Sequence, residues 1–164
     1  MKEIERKFLV NDLNKAIKGL KGRIIRQGYL MKDSNFTVRI RIIDNEEGYL
    51  TLKSKRCRFT RDEYEYSIPL NHARDLMKSC SGIIFKHRYE RMTYHNTKLE
   101  DYFVIDVFHG DNEGLILAEI ELENEKQEIK LPSWVGKEVT EDPRYYNAFL
   151  SKNPYKEWPN ESQN

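Results

Sequence analysis

The chain opens with an extended segment whose two sides differ in kind: Glu3, Glu5 and Lys7 share one side, while Ile4, Phe8 and Val10 make the other mostly apolar. A charged face opposite an apolar one gives a stable strand only if that face meets water or a partner of matching charge. The same alternation recurs along the chain. Arg39 and Arg41 oppose Val38, Ile40 and Ile42, and Lys53 lies with Tyr49 and Thr51 opposite Leu50 and Leu52. Arg61, Glu63 and Glu65 oppose Tyr64, Tyr66 and Ile68. Lys86, Arg88 and Glu90 alternate with Phe85, His87 and Tyr89, a looser case because His87 and Arg91 interrupt the apolar side. Asp106 opposes Phe103, Ile105 and Val107, and Glu119, Glu121 and Glu123 oppose Ala118, Ile120 and Leu122. Taken singly, each run describes an antiparallel strand with one wet face. Jointly, bases gather on the middle strands and acids at both ends of the chain, whereas a solvated surface mixes signs more freely.

Eight strands are predicted, at about 2–10, 25–32, 36–43, 48–54, 61–69, 83–95, 101–108 and 115–124. Three helices fall between or after them. Asn11 or Asp12 caps the first, whose Leu13, Ala16, Ile17 and Leu20 follow helical spacing, with Gly22 as its end. The second follows Asn71 and carries Ala73, Leu76, Met77 and Cys80 on one face. The third starts at Asp142-Pro143, a capping side chain before a proline in the first turn, and is expected to bury Tyr146, Phe149 and Leu150. Residues 1–152 form one predicted domain, and 153–164, with Pro154, Pro159 and a polar end, read as a weakly ordered tail.

Net charge is +1, from 28 basic and 27 acidic residues, which disfavours a general attraction to nucleic acid or an anionic membrane. Anion binding must therefore be local. Cys57 and Cys80 have neither metal-ligand nor redox spacing, and the four histidines make no recognisable ligand pair. With a strand at the start and no apolar run near a membrane span of roughly 20 residues, the reading is a soluble, cytoplasmic protein.

Eight strands with apolar outsides and charged insides point to an α+β architecture: an antiparallel β-barrel, or tunnel, padded by flanking helices around a wet bore. Arg39, Arg41, Lys53, Lys86 and Arg88 crowd that bore and need compensation. Acids of the opposite sign supply part of it; a polyanion held with divalent cations suits the rest. Arginine forks match phosphate oxygens, and lysines act as compact point charges. Glu-x-Glu pairs offer the hard oxygens preferred by Mg²⁺ or Mn²⁺, and zinc lacks its Cys/His ligands. A chain of phosphates is the substrate these side chains describe.

The motif Glu3-Ile4-Glu5-Arg6-Lys7 resembles the Glu-x-Glu-x-Lys signature of the CYTH superfamily, the triphosphate tunnel metalloenzymes, and the chain is similar to their bacterial inorganic triphosphatases. Further similarity lies in Gln27-Gly28-Tyr29-Leu30, Val38-Arg39-Ile40-Arg41, Leu50-Thr51-Leu52-Lys53, Arg61-Asp62-Glu63-Tyr64-Glu65 and Lys86-His87-Arg88-Tyr89. It continues through Ile105-Asp106-Val107-Phe108, Ala118-Glu119-Ile120-Glu121-Leu122, the stretch Pro132 to Thr140, and Arg144-Tyr145. The resemblance implies an eight-stranded tunnel and assigns roles. Arg39, Arg41, Lys53, Lys86 and Arg88 clamp a triphosphate-containing small molecule. Glu3, Glu5, Glu119 and Glu121 hold the metals, and Arg61, Glu63, Glu65, Asp106 and Glu123 serve as secondary ligands or charge partners. Lys7, paired with Tyr29, orients or activates the attacking water, a role for which Lys86 competes.

The expected reaction is metal-assisted hydrolysis of inorganic triphosphate to diphosphate and phosphate, by direct attack of water, since no nucleophilic Ser, Cys or His stands out. A class IV adenylate cyclase, a thiamine triphosphatase and a non-catalytic polyphosphate binder are the alternatives. Trp134 and Gly136 are expected to pack the C-terminal segment over one tunnel end or to plug it.

Overall fold

The computed structural model describes residues 4–32, 36–57, 60–95, 98–122, 124 and 127–159. Its elements run β1 (Ile4–Val10), α1 (Leu13–Ile17), β2 (Arg23–Lys32), β3 (Phe36–Ile43), β4 (Glu47–Cys57), β5 (Thr60–Ile68), α2 (Leu70–Met77) and β6 (Ser81–His95). They continue with β7 (Lys98–His109), β8 (Ile116–Leu122), β9 (Val135–Glu138) and α3 (Asn147–Leu150). All eight expected strands are present. One antiparallel sheet joins them in the order β5-β4-β3-β2-β6-β7-β8-β1-β9. This is the strand arrangement of the antiparallel tunnel, with β9 added as a ninth, short strand against β1. Among the described residues no ladder joins β5 to β1 or β9.

The outer face carries the apolar half of the alternation. Phe8, Phe103, Ile105, Ala118, Ile120 and Leu122 pack with Ala16 of α1 and with Trp134, whose ring meets Phe103 edge to face at 5.2 Å. Trp134 therefore seals the outside of the sheet rather than a tunnel end. Gly136 sits in β9, where an added Cβ would meet Asn11 Oδ1 at 2.4 Å. Further round, Ile40 and Ile42 pack beneath Ala73 of α2, and Gly28 lets Cys80 approach β2, since a Cβ there would lie 2.5 Å from that of Cys80.

The helices differ from expectation at their ends. Asp12 caps α1 by accepting from the Lys15 N–H at 2.9 Å, but the helix stops at Ile17 instead of reaching Leu20. Lys18 turns out of helical geometry, and the Arg91 guanidinium takes the carbonyls of Ala16 and Lys18. The third helix is broken. Asp142 accepts from the Arg144 N–H, a single 3-10 turn covers Pro143–Tyr145, and Tyr146 is extended (φ −80°, ψ 133°) before α3 starts. Tyr145, not Tyr146, is consequently the buried ring.

The largest correction concerns the C-terminal end. Tyr155 and Trp158 fall in the segment expected to be a weakly ordered tail, yet both are buried, packed with Tyr145, Leu150, Val139, Ile84, Phe108 and Leu117. Trp158 stacks edge to face on Tyr145 and on Tyr155, and its indole N–H donates to the Asn153 carbonyl at 3.1 Å. Three buried aromatic rings within eight positions of a fully buried Leu150 outweigh the prolines and polar residues that suggested disorder. The partners also matter, because Ile84, Phe108, Leu117 and Leu9 belong to the bore side of their strands, two residues from Lys86, Asp106, Glu119 and Lys7 respectively. Residues 139–158 thus form an apolar floor beneath the charged part of the bore.

Candidate active site

Strand alternation places the charged residues, and cross-strand pairing decides which of them meet. Glu5 stands opposite Glu121, and Lys7 opposite Glu119, on the β1–β8 ladder. The Lys7 ammonium lies 2.6 Å from Glu119 and 3.0 Å from Glu5. Burial alone would lower its proton affinity, but the two carboxylates more than reverse that, so Lys7 titrates above the ordinary lysine range. Glu5 behaves in the opposite sense. Burial and the neighbouring Glu119 carboxylate push it up to about 7 despite Lys7. Glu121, two residues along β8 from Glu119, is exposed.

On the adjoining strands, β6 and β7, Lys86 and Asp106 are completely buried, with 2.6 Å between the ammonium and Oδ2. Arg88 closes a fork on the same carboxylate, Nε to Oδ1 at 2.8 Å and a terminal nitrogen to Oδ2 at 2.7 Å. Both Asp106 oxygens are therefore committed to cations, which makes this residue a charge partner rather than a free metal ligand. Loss of hydration lowers Lys86 to about 8, with Arg88 adding to the effect and Asp106 opposing it. Lys86 also donates to Asn147 Oδ1 at 3.2 Å, a residue of α3 that strand alternation could not have suggested.

The third wall is β3 to β5, with β2 beside it. Arg39 reaches Thr51 at 3.0 Å, Glu65 at 3.1 Å and Glu63 at 3.4 Å, while Lys53 pairs with Glu63 at 2.6 Å. The Thr51 hydroxyl in turn donates to Glu65 at 2.7 Å. Arg41 leans on Gln27 Oε1 at 3.4 Å, and Gln27 donates to the Tyr29 hydroxyl at 3.2 Å. Burial, with Arg39 and Arg88 nearby, lowers Arg41 to about 10. Tyr29 is raised by burial, against the fields of Arg39 and Arg41, and it also feels Glu119 of β8. Charges on β2, β3, β6, β7 and β8 thus act on one another across a common interior. No hydrogen bond joins Tyr29 to Lys7 among the described residues; the ring near the Lys7 ammonium belongs to Tyr146, 5.6 Å to its centre.

Glu3 and Glu123 lie outside the described residues, as does the Arg61 side chain. Of the remaining predicted site residues, Glu63, Glu65 and Glu121 are exposed, and the others are buried or half-buried on the charged strand faces. Sequence reasoning gave no site role to Gln27 and Thr51, both fully buried polar groups on charged strand faces, or to Asn147. The first two were legible in principle, since they follow the same stride as Tyr29 and Lys53.

Two features bear on ligands. The Nε atoms of Arg39 and Arg41 are buried without a hydrogen-bond partner, an expensive condition that an anion's oxygens would relieve. The Glu5–Glu119 pair offers only carboxylate oxygens, fitting a hard divalent cation, although Lys7 now lies between them. Among the described residues no three acidic or Cys/His side chains are already gathered around one point.

The CYTH domain model matches residues 1–148. An inorganic triphosphatase of Acetivibrio thermocellus is 43% identical over 162 residues, covering 94% of this chain and 96% of that protein. An inorganic triphosphatase of Nitrosomonas europaea is 36% identical over 156 residues, covering 92% and 97%. A crystal structure of an inorganic triphosphatase matches with a TM-score of 0.68 at 35% identity, over 92% of this chain and 95% of that one. The fold alone is shared with a putative adenylyl cyclase from Hippeastrum, at 16% identity and a TM-score of 0.56 over 74% of this chain and 80% of that one. With family match, relatives and strand order in agreement, the chain belongs to the CYTH domain family.

Proposed function

We propose that this protein is a divalent-metal-dependent triphosphatase that hydrolyses inorganic triphosphate to diphosphate and phosphate. The observation that carries the reading is the pair of buried, unpartnered Nε donors on Arg39 and Arg41, facing an interior whose other cations already have acidic partners. The two named relatives support the same substrate. Arg39, Arg41, Lys53 and Arg88 act as the clamp, exchanging part of their hold on Glu63, Glu65 and Asp106 for phosphate oxygens. Those three acids are charge partners that offset repulsion among the clamp's cations.

Glu5, Glu119 and Glu121, with Glu3 preceding them, would hold Mg²⁺ or Mn²⁺, and Lys7 must move aside as they do so. The metal, when bound, neutralises phosphoryl oxygens and lowers the pKa of a coordinated water. Positioning and charge stabilisation by the arginines and lysines supply the rest, as expected of a phosphoryl transfer with diffuse developing charge. Lys86 is the better candidate for proton transfer to or from water, because its affinity for a proton is close to neutrality whereas that of Lys7 is raised. Tyr29 orients the clamp through Gln27. A cytoplasmic setting suits the free thiol of Cys80, and no described helix is long and apolar enough to cross a membrane.

Phosphate release from triphosphate, ATP, thiamine triphosphate and long polyphosphate, measured in parallel with Mg²⁺ and Mn²⁺, tests the reading. Triphosphate is expected to be the fastest. No release under either metal overturns it, and cyclic AMP formed from ATP turns it toward a cyclase.

A further inference from the structure

We propose that Asn147 is a positioning residue for Lys86, a neutral acceptor delivered from the floor of the bore that fixes the ammonium without adding charge. The proposal deepens the triphosphatase reading and rests on it for its kinetic consequences. An ammonium has three N–H donors. In Lys86 one goes to Asp106 Oδ2 at 2.6 Å and a second to Asn147 Oδ1 at 3.2 Å, leaving a single donor direction for a ligand or water. The Phe108 ring, 5.3 Å from the nitrogen, closes another side with an apolar surface. A lysine with no exposure and two fixed partners has lost the rotational freedom that ordinarily makes lysine a loose point charge.

The interruption of helical geometry at Tyr146, just before α3, accompanies the arrangement. Because Tyr146 is extended, it and Asn147 address different lysines: the Tyr146 ring stands beside Lys7, and the Asn147 amide meets Lys86. Tyr146 is tied back by its hydroxyl, which donates to the Thr140 carbonyl at 3.0 Å. At the other end of α3 the chain presses against β6 so closely that a Cβ on Gly82 would lie 1.5 Å from the Ser151 carbonyl oxygen. Gly82 also has φ +67°, a left-handed conformation suited to glycine. The floor is therefore clamped to the strand that carries Lys86.

The charge of the acceptor matters because Lys86 already has charged neighbours on its own and the adjoining strands: Asp106 on β7, Arg88 on β6, and Glu119 on β8, itself held by Lys7 of β1. The Asn147 carbonyl adds a hydrogen bond and no net charge. An aspartate of the same shape would add a second anion and hold the proton more tightly.

The test compares the parent with Asn147→Asp, Asn147→Ala and Asn147→Ser, by two readouts. Titration of the Lys86 side chain by carbon-detected NMR needs no substrate, so it remains decisive even if the triphosphatase reading fails. Asn147→Asp should raise the Lys86 pKa by about one unit or more. In steady-state kinetics Asn147→Ala should lower kcat about tenfold with KM nearly unchanged, and Asn147→Ser, which retains an acceptor, should recover part of it. The basic limb of the Asn147→Asp pH profile should move with the NMR value. An unmoved Lys86 titration in Asn147→Asp overturns the proposal. So does a folded Asn147→Ala enzyme with parental kcat, or one changed in KM alone.

Discussion

The ammonium of Lys7 lies 2.6 Å from the carboxylate of Glu119, directly across the ladder from the acid that stands nearest to a metal-ligand role. This lysine is the cationic partner of both Glu119 and Glu5. Lys7→Gln should then leave Glu5 without its cation and Glu119 with only the longer Arg88 contact at 3.8 Å, and destabilise the protein without added metal by about 3–5 kcal/mol, the range for breaking a buried pair. Added Mn²⁺ or Mg²⁺ should restore most of that loss in thermal melts, because the metal takes the place Lys7 held. Equal destabilisation with and without metal would show that the metal goes elsewhere.

The state of Glu5 gives the metal-free protein a dependence on pH with a defined sign. Its folded-state pKa, about 7, exceeds the ordinary value of 4.5, so between those values the folded state binds more protons than the unfolded one. Stability from this group is present below pH 4.5 and falls as pH rises through 7. Glu5→Gln should remove that slope and stabilise the chelator-treated protein at pH 8. Denaturant midpoints at pH 5, 6, 7 and 8 measure it, and a parent whose midpoint does not respond to Glu5→Gln anywhere in this window refutes the burial assigned to Glu5.

The face carrying Arg41 and the face carrying Ile40 should respond in opposite ways. Arg41 has a buried, unpartnered Nε and a proton affinity depressed by burial and by Arg39 and Arg88, so Arg41→Gln relieves repulsion. Stability should be unchanged or higher, with triphosphate KM raised at least tenfold. Ile40 is wholly buried between the sheet and α2, and Ile40→Ala should cost about 2–5 kcal/mol. Melts without metal or substrate compare the two. A large loss from Arg41→Gln beside a silent Ile40→Ala would reverse the faces of β3.

How far the sequence spoke follows from the range of each signal. A period of two is local, so it places Lys7, Arg39, Arg41, Lys86, Asp106 and Glu119 on the charged faces of their strands. It could not say which acid meets which base, because register depends on the shear of the sheet. Hence Asp106 stood among secondary ligands or charge partners, whereas the structure spends both of its oxygens on Lys86 and Arg88. The Lys7–Tyr29 pairing came from the family resemblance, and the contacts Lys7 makes in the structure are with Glu5, Glu119 and the Tyr146 ring. Asn147 was out of reach for a different reason: a helix start meets a strand 61 residues earlier only through the packing of the floor. The same long-range packing turned a Pro-rich, polar end into part of the core.

That floor links stability to proton affinity through Trp158. Its ring is 8% exposed and packs on Tyr145 and Tyr155, with centroids 5.2 and 5.0 Å away. Trp158→Ala should cost about 3–5 kcal/mol, against near neutrality for a residue in a loose tail. The effect should also travel upward, because Lys86 owes its lowered pKa first to lost hydration, and Phe108 touches both the lysine and the cluster that contains Trp158. A loosened floor admits water, so in a Trp158→Ala protein still folded at low temperature the Lys86 pKa should climb from about 8 toward the ordinary 10.5. Denaturant unfolding and the lysine NMR titration check the two halves separately. Parental stability would return residues 153–159 to the status of a tail, and a destabilised variant with an unchanged Lys86 titration would cut the link between floor and site.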